Sequence, residues 1–353
     1  MTDSQLAGIR NYRLLAIRYA KGRGMRLLVT GGCGFIGSNF IRYVLEHYQP
    51  ESVTSVDLLT YAGSLLTTAD FPLRYGERYE FIRADVADRK AIRQILSRHS
   101  YYGVINFAAE GHVDRSIVSS SDFIHSNVVG TTVLLEAARD YGVKRFVQIS
   151  TGEVYGSNES ANPSMEAAAL NPSSPYSASK AAADLLALAY HKTYDLDVVI
   201  PRGSNNYGPY QFPEKLIPLL TIRALLNEPL PIYGDGSQIR DWIHVEDYCA
   251  AVFDVLMEGH AGGIYNVAGG TQLPNLTVVK KILEYLGKSQ DLIQFVPGRP
   301  AHDRRYSLDS TRIRQEIGWR PLRDFEYGLI ATIDWYRSNE PWWRNALRAG
   351  RTT

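Results

Sequence analysis

Residues 30–37 read TGGCGFIG and stand directly between the apolar run Arg26–Thr30 and a helical pattern that opens near residue 36. The glycines at 31, 34 and 37 follow a G-x-x-G-x-x-G spacing. Gly31 permits a tight turn, Gly34 lets backbone N–H groups approach a pyrophosphate, and Gly37 lets the helix lie close to the strand. Asp57 ends the next strand pattern, 20 residues after Gly37, where a carboxylate accepts hydrogen bonds from adenosine ribose hydroxyls. A glycine triplet alone also describes an ordinary strand-to-helix turn. Here strand, helix and acid all stand where dinucleotide binding needs them, and an acid at that place favours NAD over NADP, whose 2′-phosphate it repels. Asp85, at the end of the third strand pattern, reads equally as a partner for adenine or as a turn aspartate.

The rest of the first 200 residues repeats the same alternation. Runs of Val, Ile and Leu with little alternation predict strands covered on both faces at Arg26–Thr30, Ser52–Asp57, Glu80–Asp85, Gly103–Ala108, Arg145–Thr151 and Asp197–Arg202. Helical patterns lie between them near 36–48, 88–99, 121–141 and 177–194. This is the pattern of an α/β fold, a Rossmann-type doubly wound parallel sheet. Beyond residue 200 the spacing is irregular and richer in Pro, Gly and Tyr, which reads as a smaller interleaved C-terminal substrate-binding domain. At about 150 residues per domain, the 353 residues divide into a basic extension (1–24), an NAD-binding domain (25–200) and a substrate-binding region (201–353) partly interleaved with it.

Composition narrows the partners. The 38 basic and 37 acidic residues give a net charge of +1, but residues 1–24 hold five basic side chains and one acid, so the remainder carries −3. A mildly acidic body offers no basic field for nucleic acid. No apolar run reaches the ~18 residues of a membrane span. Cys33 and Cys249 make neither a disulfide framework nor a metal-ligand pattern, so no metal is expected and a reducing cytoplasm is the natural setting. Met25 stands just before the first strand and reads as the natural start.

Tyr176 and Lys180 in YSASK stand four apart at the start of a helix, which puts both side chains on one face. A Y-x-x-x-K pair by itself usually marks a surface helix. Beside a dinucleotide loop, an ammonium that favours phenolate makes the tyrosine a base for a hydroxyl whose carbon loses hydride to nicotinamide. With TGGCGFIGS (30–38), VDLLTYAG (56–63), FAAEGHVDRSI (107–117), STGEVYG (150–156), PYSASK (175–180), SNNYGPYQFPEKLIP (204–218), PIYGDGSQIRDWIHVED (231–247) and RPAHDRRY (299–306), the chain resembles the NAD-dependent dTDP-glucose 4,6-dehydratases of the extended short-chain dehydrogenase/reductase superfamily.

That resemblance implies an internal redox cycle on a nucleotide-diphosphate sugar, with dTDP-glucose the expected substrate. Tyr176, supported by Lys180 and Thr151, takes the 4-hydroxyl proton, and Glu153 takes the C5 proton as the C6 hydroxide leaves. Phe35, Ile36, Leu58, Thr60, Val86, Ala108, Ala109, Ser126 and Asn206 would join Gly31, Gly34, Gly37, Asp57, Asp85, Tyr176 and Lys180 around NAD. Gly111, His112, Thr151, Asn205, Lys215, Leu216, Pro231, Tyr233, Arg240, Asn275, Arg299 and His302 would face the substrate. Arg240 reads as a diphosphate partner, or else as a surface ion pair with Asp241 or Asp247.

The chain departs from the family twice. Gly152 stands where an aspartic acid usually protonates the leaving hydroxyl, and Gly111 stands where a serine is usual. Loss of a general acid is worth about 10²–10⁴ in rate. A 4-epimerase or decarboxylase on the same scaffold, or an impaired binding protein, is therefore the alternative reading. Retention of Glu153 favours the dehydratase, because epimerisation at C4 has no need of a base at C5. The apolar faces of the helices at 121–141 (Val128, Val129, Val133, Leu134) and 177–194 (Ala181, Leu185, Leu188, Ala189) fit burial against the sheet or, as in the family, a homodimer contact. His244 reads as structural, and Pro341-Trp342-Trp343 as a packing or interface patch.

Overall fold

The computed structural model describes residues 24–158, 162–298, 300 and 303–349; the extension up to residue 23, Arg299 and His302 lie outside them. Strands β1 (Arg26–Thr30), β2 (Ser52–Asp57), β3 (Tyr79–Arg83), β4 (Gly103–Asn106), β5 (Arg145–Gln148), β6 (Ser150–Thr151) and β7 (Val198–Gly203) come from the six predicted runs. β8 (Asn205–Tyr207), β9 (Leu230–Tyr233), β10 (Ile239–His244), β11 (Gly263–Val267), β12 (Thr271–Pro274) and β13 (Ile293–Val296) follow. The main sheet is wholly parallel and runs β11–β7–β5–β4–β1–β2–β3, with β6 paired to β7. Its order reverses between β1 and β4, the place where doubly wound sheets open a crevice at the strands' carboxyl ends.

The helices of eight or more residues are α1 (Phe35–His47), α2 (Arg89–Leu96), α3 (Thr131–Asp140), α4 (Pro175–Tyr194), α5 (Leu216–Leu225), α6 (Val245–Glu258), α7 (Asn275–Leu286), α8 (Phe325–Ser338) and α9 (Glu340–Ala349). In α1, Phe40, Ile41, Val44 and Leu45 make one buried stripe, which meets Phe253 and Leu256 of α6 on one side of the sheet. On the other side α2, α3 and α4 bury Ile92, Leu134 and Ala187 against Val104 and Phe146. A third core, with Ile217, Leu220, Val279 and Leu329, belongs to the chain after residue 204. Between the core clusters, β10 pairs with β8 and β12, and β9 with β13.

Three local differences from the predicted pattern have physical causes. The sheet takes a seventh strand of its main path, β11, from beyond residue 200, where GIYNV is embedded in an irregular stretch richer in Pro, Gly and Tyr that broke the strand–helix alternation. The predicted strand Arg145–Thr151 breaks at Ile149, whose carbonyl accepts the Lys180 Nζ at 2.6 Å. The predicted helix 121–141 contains a π-helical stretch, Ile124–Gly130, ahead of α3. That wider turn places Asn127 between two elements: its side chain accepts from Glu110 N (2.8 Å), donates to Glu110 O (3.1 Å) and donates to Ser179 Oγ of α4 (2.8 Å). Trp343 is buried against Ile222 and Tyr336 and donates to Tyr336 O at 2.9 Å, so the tryptophan pair closes the C-terminal helices.

Candidate active site

A cavity of about 310 Å³ opens at the carboxyl ends of the central strands. Its walls come from the glycine turn, the loops after β2 and β4, the β6 end, α4, the segment 203–215 and residues Tyr306–Leu308. A smaller cavity of about 100 Å³ shares Gly31, Gly34, Thr60 and Ala109 with it and extends it past Asp57 and Asp85. Together they form one groove across the switch point.

The glycine turn is built for an anion. Gly31 has φ of 67°, and a Cβ there would lie 2.7 Å from the Ala108 backbone nitrogen; a Cβ on Gly37 would lie 2.2 Å from the Gly31 carbonyl oxygen. Gly34 caps α1 without any side-chain hydrogen bond, and no acid stands in the first turn. The uncapped N–H groups of this turn line the groove, the arrangement that binds a diphosphate. Asp57 is buried, and its two oxygens accept from Cys33 N (3.0 Å) and Leu59 N (2.8 Å), which fixes the carboxylate at the β2 end. Burial pushes its pKa up, and those two N–H groups oppose the shift. Asp85 accepts from Ala87 N at 2.8 Å, as a turn aspartate does, and from the half-exposed His125 Nε2, also at 2.8 Å, while lining the adenosine end of the groove.

At the other end, α4 begins with Ser174 and Ser177 capping one another and with Pro175 in the first turn, which sets Tyr176 and Lys180 at the cavity wall. Burial first, and then the Glu153 charge, raise the Tyr176 pKa; a hydrogen bond with Thr151 works the other way. Burial lowers Lys180 to about 8, against the pull of Asp184. Lys180 thus stays charged at neutral pH and loses that charge as pH rises through about 8. Thr151 accepts from Glu153 N at 3.2 Å and so caps the short 3-10 turn Gly152–Tyr155, which presents Glu153 to the cavity.

Gly152 is packed. A Cβ built on it would lie 2.8 Å from Leu308 Cδ2 and 3.0 Å from Cδ1, so Leu308 occupies the volume that a side chain at 152 needs. Gly111, by contrast, has nothing within 4 Å of such a Cβ. The wall beside Glu153 is apolar leucine where the family pattern leads one to expect an acid.

Of the expected residues, Gly31, Gly34, Phe35, Ile36, Gly37, Thr60, Ala109, Gly111, Thr151, Glu153, Tyr176, Lys180, Asn205, Asn206 and Lys215 line the larger cavity. Asp57, Leu58, Asp85, Val86, Ala108 and Ser126 line the smaller one. Lys215 Nζ donates to Gly111 O at 2.7 Å. Leu216, Pro231, Tyr233, Arg240 and Asn275 are not among the lining residues of either cavity. Arg240 does not lie at the surface: it is buried, donates to Ile239 O (2.8 Å) and Asp303 O (2.9 Å), and lies over the Tyr306 ring. His112 caps the helix Val113–Val118 and faces Glu214 at 3.6 Å. Several lining residues escaped the sequence reading. Tyr61 donates to Glu214 at 2.9 Å and so joins the loop after β2 to the segment 203–215. Glu110 and Gln211 lay inside quoted motifs as polar residues without an assigned task, and that was the available signal.

These features define a dinucleotide-dependent enzyme of the tyrosine–lysine type on a doubly wound sheet. The family model described as "GDP-mannose 4,6 dehydratase" matches residues 28–332. A dTDP-glucose 4,6-dehydratase of Streptomyces niveus is 48% identical over 323 residues, covering 90% of this chain and 95% of that one. The structure of the DesIV dTDP-glucose 4,6-dehydratase of Streptomyces venezuelae, solved with NAD and TYD bound, superposes with a TM-score of 0.88 at 46% identity, over 91% of this chain and all (100%) of the other. A UDP-glucose 4-epimerase of Thermotoga maritima with UDP-glucose is more distant, at 29% identity and a TM-score of 0.83 over 90% of this chain and 100% of that one. The chain belongs to the dTDP-glucose 4,6-dehydratase family within the short-chain dehydrogenase/reductase superfamily.

The packing at the glycine turn makes one outcome specific. Gly37→Ala drives its methyl into the Gly31 carbonyl, and NAD affinity measured by calorimetry should fall at least about tenfold, the scale of a loss near 1.4 kcal/mol.

Proposed function

We propose that the chain is a dTDP-glucose 4,6-dehydratase that converts dTDP-glucose to dTDP-4-keto-6-deoxyglucose with tightly bound NAD. The observation that carries this reading is the presence of Glu153 beside Thr151, Tyr176 and Lys180 on one cavity whose far end holds an uncapped helix terminus and a fixed carboxylate. NAD, when bound along that groove, supplies reversible hydride acceptance, so the substrate is oxidised at C4 and reduced again at C6. Residues 25–200 carry the cofactor half and 201–353 the nucleotide-sugar half, with Lys215, Asn205, Arg299 and His302 serving the substrate side and Arg240 standing behind the wall over the Tyr306 ring.

The chain's own groups act in sequence. Tyr176 accepts the 4-hydroxyl proton; the Lys180 ammonium and the Thr151 hydroxyl favour its phenolate. The resulting 4-ketone acidifies the C5 proton, which Glu153 removes as the C6 oxygen departs. Glu153, then protonated and next to an apolar wall, is the nearest acid of the strand-end motif to return that proton to the departing oxygen, which leaves as water. C5 takes back one proton, the one that Tyr176 gained from the 4-hydroxyl, passed on through Glu153, so both residues, and the cofactor once its hydride has gone to C6, finish each cycle as they began.

The exposed apolar residues Ile117, Val118, Ile124 and Val129 sit on elements beside α4 and Leu185 on α4 itself, whereas Val133, Leu134 and Ala181 are buried within the chain. This supports a homodimer through that face, in a cytoplasmic setting; no described helix is long and apolar enough to cross a membrane.

Incubation with dTDP-glucose should yield a product lighter by one water, and Glu153→Gln should abolish both this loss and C5 proton exchange while cofactor reduction persists. An epimerised sugar of unchanged mass would overturn the reading. Gly152→Asp alone should be inactive or slower, because Leu308 blocks the new side chain; Gly152→Asp combined with Leu308→Ala should exceed the unaltered chain in dehydration rate. Sedimentation at micromolar concentration should give a dimer, and Leu185→Arg should shift it to monomer.

A further inference from the structure

Three consecutive residues of the strand end are gripped by three consecutive turns of α4. Lys180 donates to Ile149 O at 2.6 Å, Ser150 Oγ donates to Asp184 Oδ2 at 2.9 Å, and Thr151 hydrogen-bonds Tyr176. Tyr176, Lys180 and Asp184 are spaced four apart, so the carboxylate lies on the catalytic face one turn deeper. Asp184 is 0% exposed and pairs with Arg202 of β7, which is 2% exposed, at 2.9 Å. The same guanidinium donates through Nη1 to the Tyr155 hydroxyl at 2.8 Å. Tyr155 belongs to the 3-10 turn that carries Glu153, and its own hydroxyl donates to Asn266 of β11 at 2.9 Å.

A buried pair of this kind is weak support for stability, since apolar replacements of similar volume are often as stable or more so. Asp184 Oδ1 has no hydrogen-bond partner, and an incompletely satisfied buried carboxylate is a cost that packing alone does not explain. We propose that the Asp184–Arg202 pair is a positioning unit: its carboxylate keeps Lys180 charged behind Tyr176, and its guanidinium holds the Glu153 turn in register with α4. This rests on the assignment of Tyr176 and Lys180 to the 4-hydroxyl proton and of Glu153 to C5. The groups facing the pair are Lys180 and Tyr176 from α4, Ser150 from β6, Tyr155 from the turn after it and Tyr248 from α6; Glu153 faces Tyr176. Burial raises the phenols of Tyr155, Tyr176 and Tyr248, and it raises the Asp184 carboxyl too, against the opposing charges of Arg202 and Lys180.

The sign is set by the neighbour: a carboxylate raises the pKa of an ammonium, so removing it lowers that of Lys180. In Asp184→Asn the alkaline limb of the pH profile for cofactor reduction, read in a single turnover after dTDP-glucose is added to the NAD-loaded enzyme, should move down by about one pH unit. The rate at the wild-type optimum should fall about tenfold with KM within about twofold. Arg202→Lys keeps the charge but cannot span Asp184 and Tyr155; its reduction profile should stay in place while C5 proton exchange slows about tenfold. Should Asp184→Asn leave Arg202 stranded and the chain unfolded, Asp184→Asn/Arg202→Gln restores neutrality, and the limb should still move down, because Asp184 is the charge of the pair that acts on Lys180. An unmoved limb in a folded variant overturns the electrostatic role, and unchanged exchange in Arg202→Lys overturns the registering one. If the unaltered chain does not reduce its cofactor with dTDP-glucose, the dehydratase assignment itself falls, and this role with it.

Discussion

The grip of α4 on the end of β6 is the constraint from which the rest of the site follows. A parallel sheet leaves its functional groups at the carboxyl ends of the strands, where backbone hydrogen bonding stops and loops would otherwise choose their own positions. Here the last strand residues before the Glu153 turn are fixed through side chains of a 20-residue helix. The helix is in turn held by burial of Ala187 on that same face and by the Ser179–Asn127 contact with the π-helical stretch. Tyr176, Lys180, Thr151 and Glu153 therefore move as one body with the sheet.

The electrostatics of that body are opposed. Burial and the Glu153 charge both hold the Tyr176 proton on, and burial works against the Lys180 charge. The Thr151 hydroxyl and the Lys180 ammonium are the groups that favour the phenolate. At the diphosphate end, a body of net negative charge recognises an anion through helix N–H groups rather than through a basic surface.

Much of this was legible in the sequence because the relevant signals are local. β1 and β2 lie in the regular strand–helix alternation of the first 200 residues and were read to the residue, and the glycine spacing with Asp57 located the groove. Long-range juxtaposition left no such mark. The sheet's outer strand β11 lies in the irregular stretch beyond residue 200, the π-helical stretch has no compositional signature, and the Tyr61–Glu214 contact joins residues 153 positions apart. Two signals were present and passed over. Asp184 interrupts the apolar face of KAAADLLALAY, and Arg202 ends the buried run VVIPR. A charge on a buried face requires a partner, and these two were each other's.

Gly152 shows why a missing residue has to be read with its surroundings. From sequence it is a deletion of the general acid, a hole in the mechanism. In the structure no hole exists, because Leu308 fills the space and is itself buried. An apolar wall excludes water from Glu153 and strengthens whatever charge develops next to it. Loss of a proton donor and gain of a dry wall are opposite contributions to the same step. The site beside 152 is therefore packed, with Leu308 taking the volume next to the glycine. On the proposed mechanism the departure at 152 is a change in how the leaving oxygen receives its proton, with Glu153 supplying it.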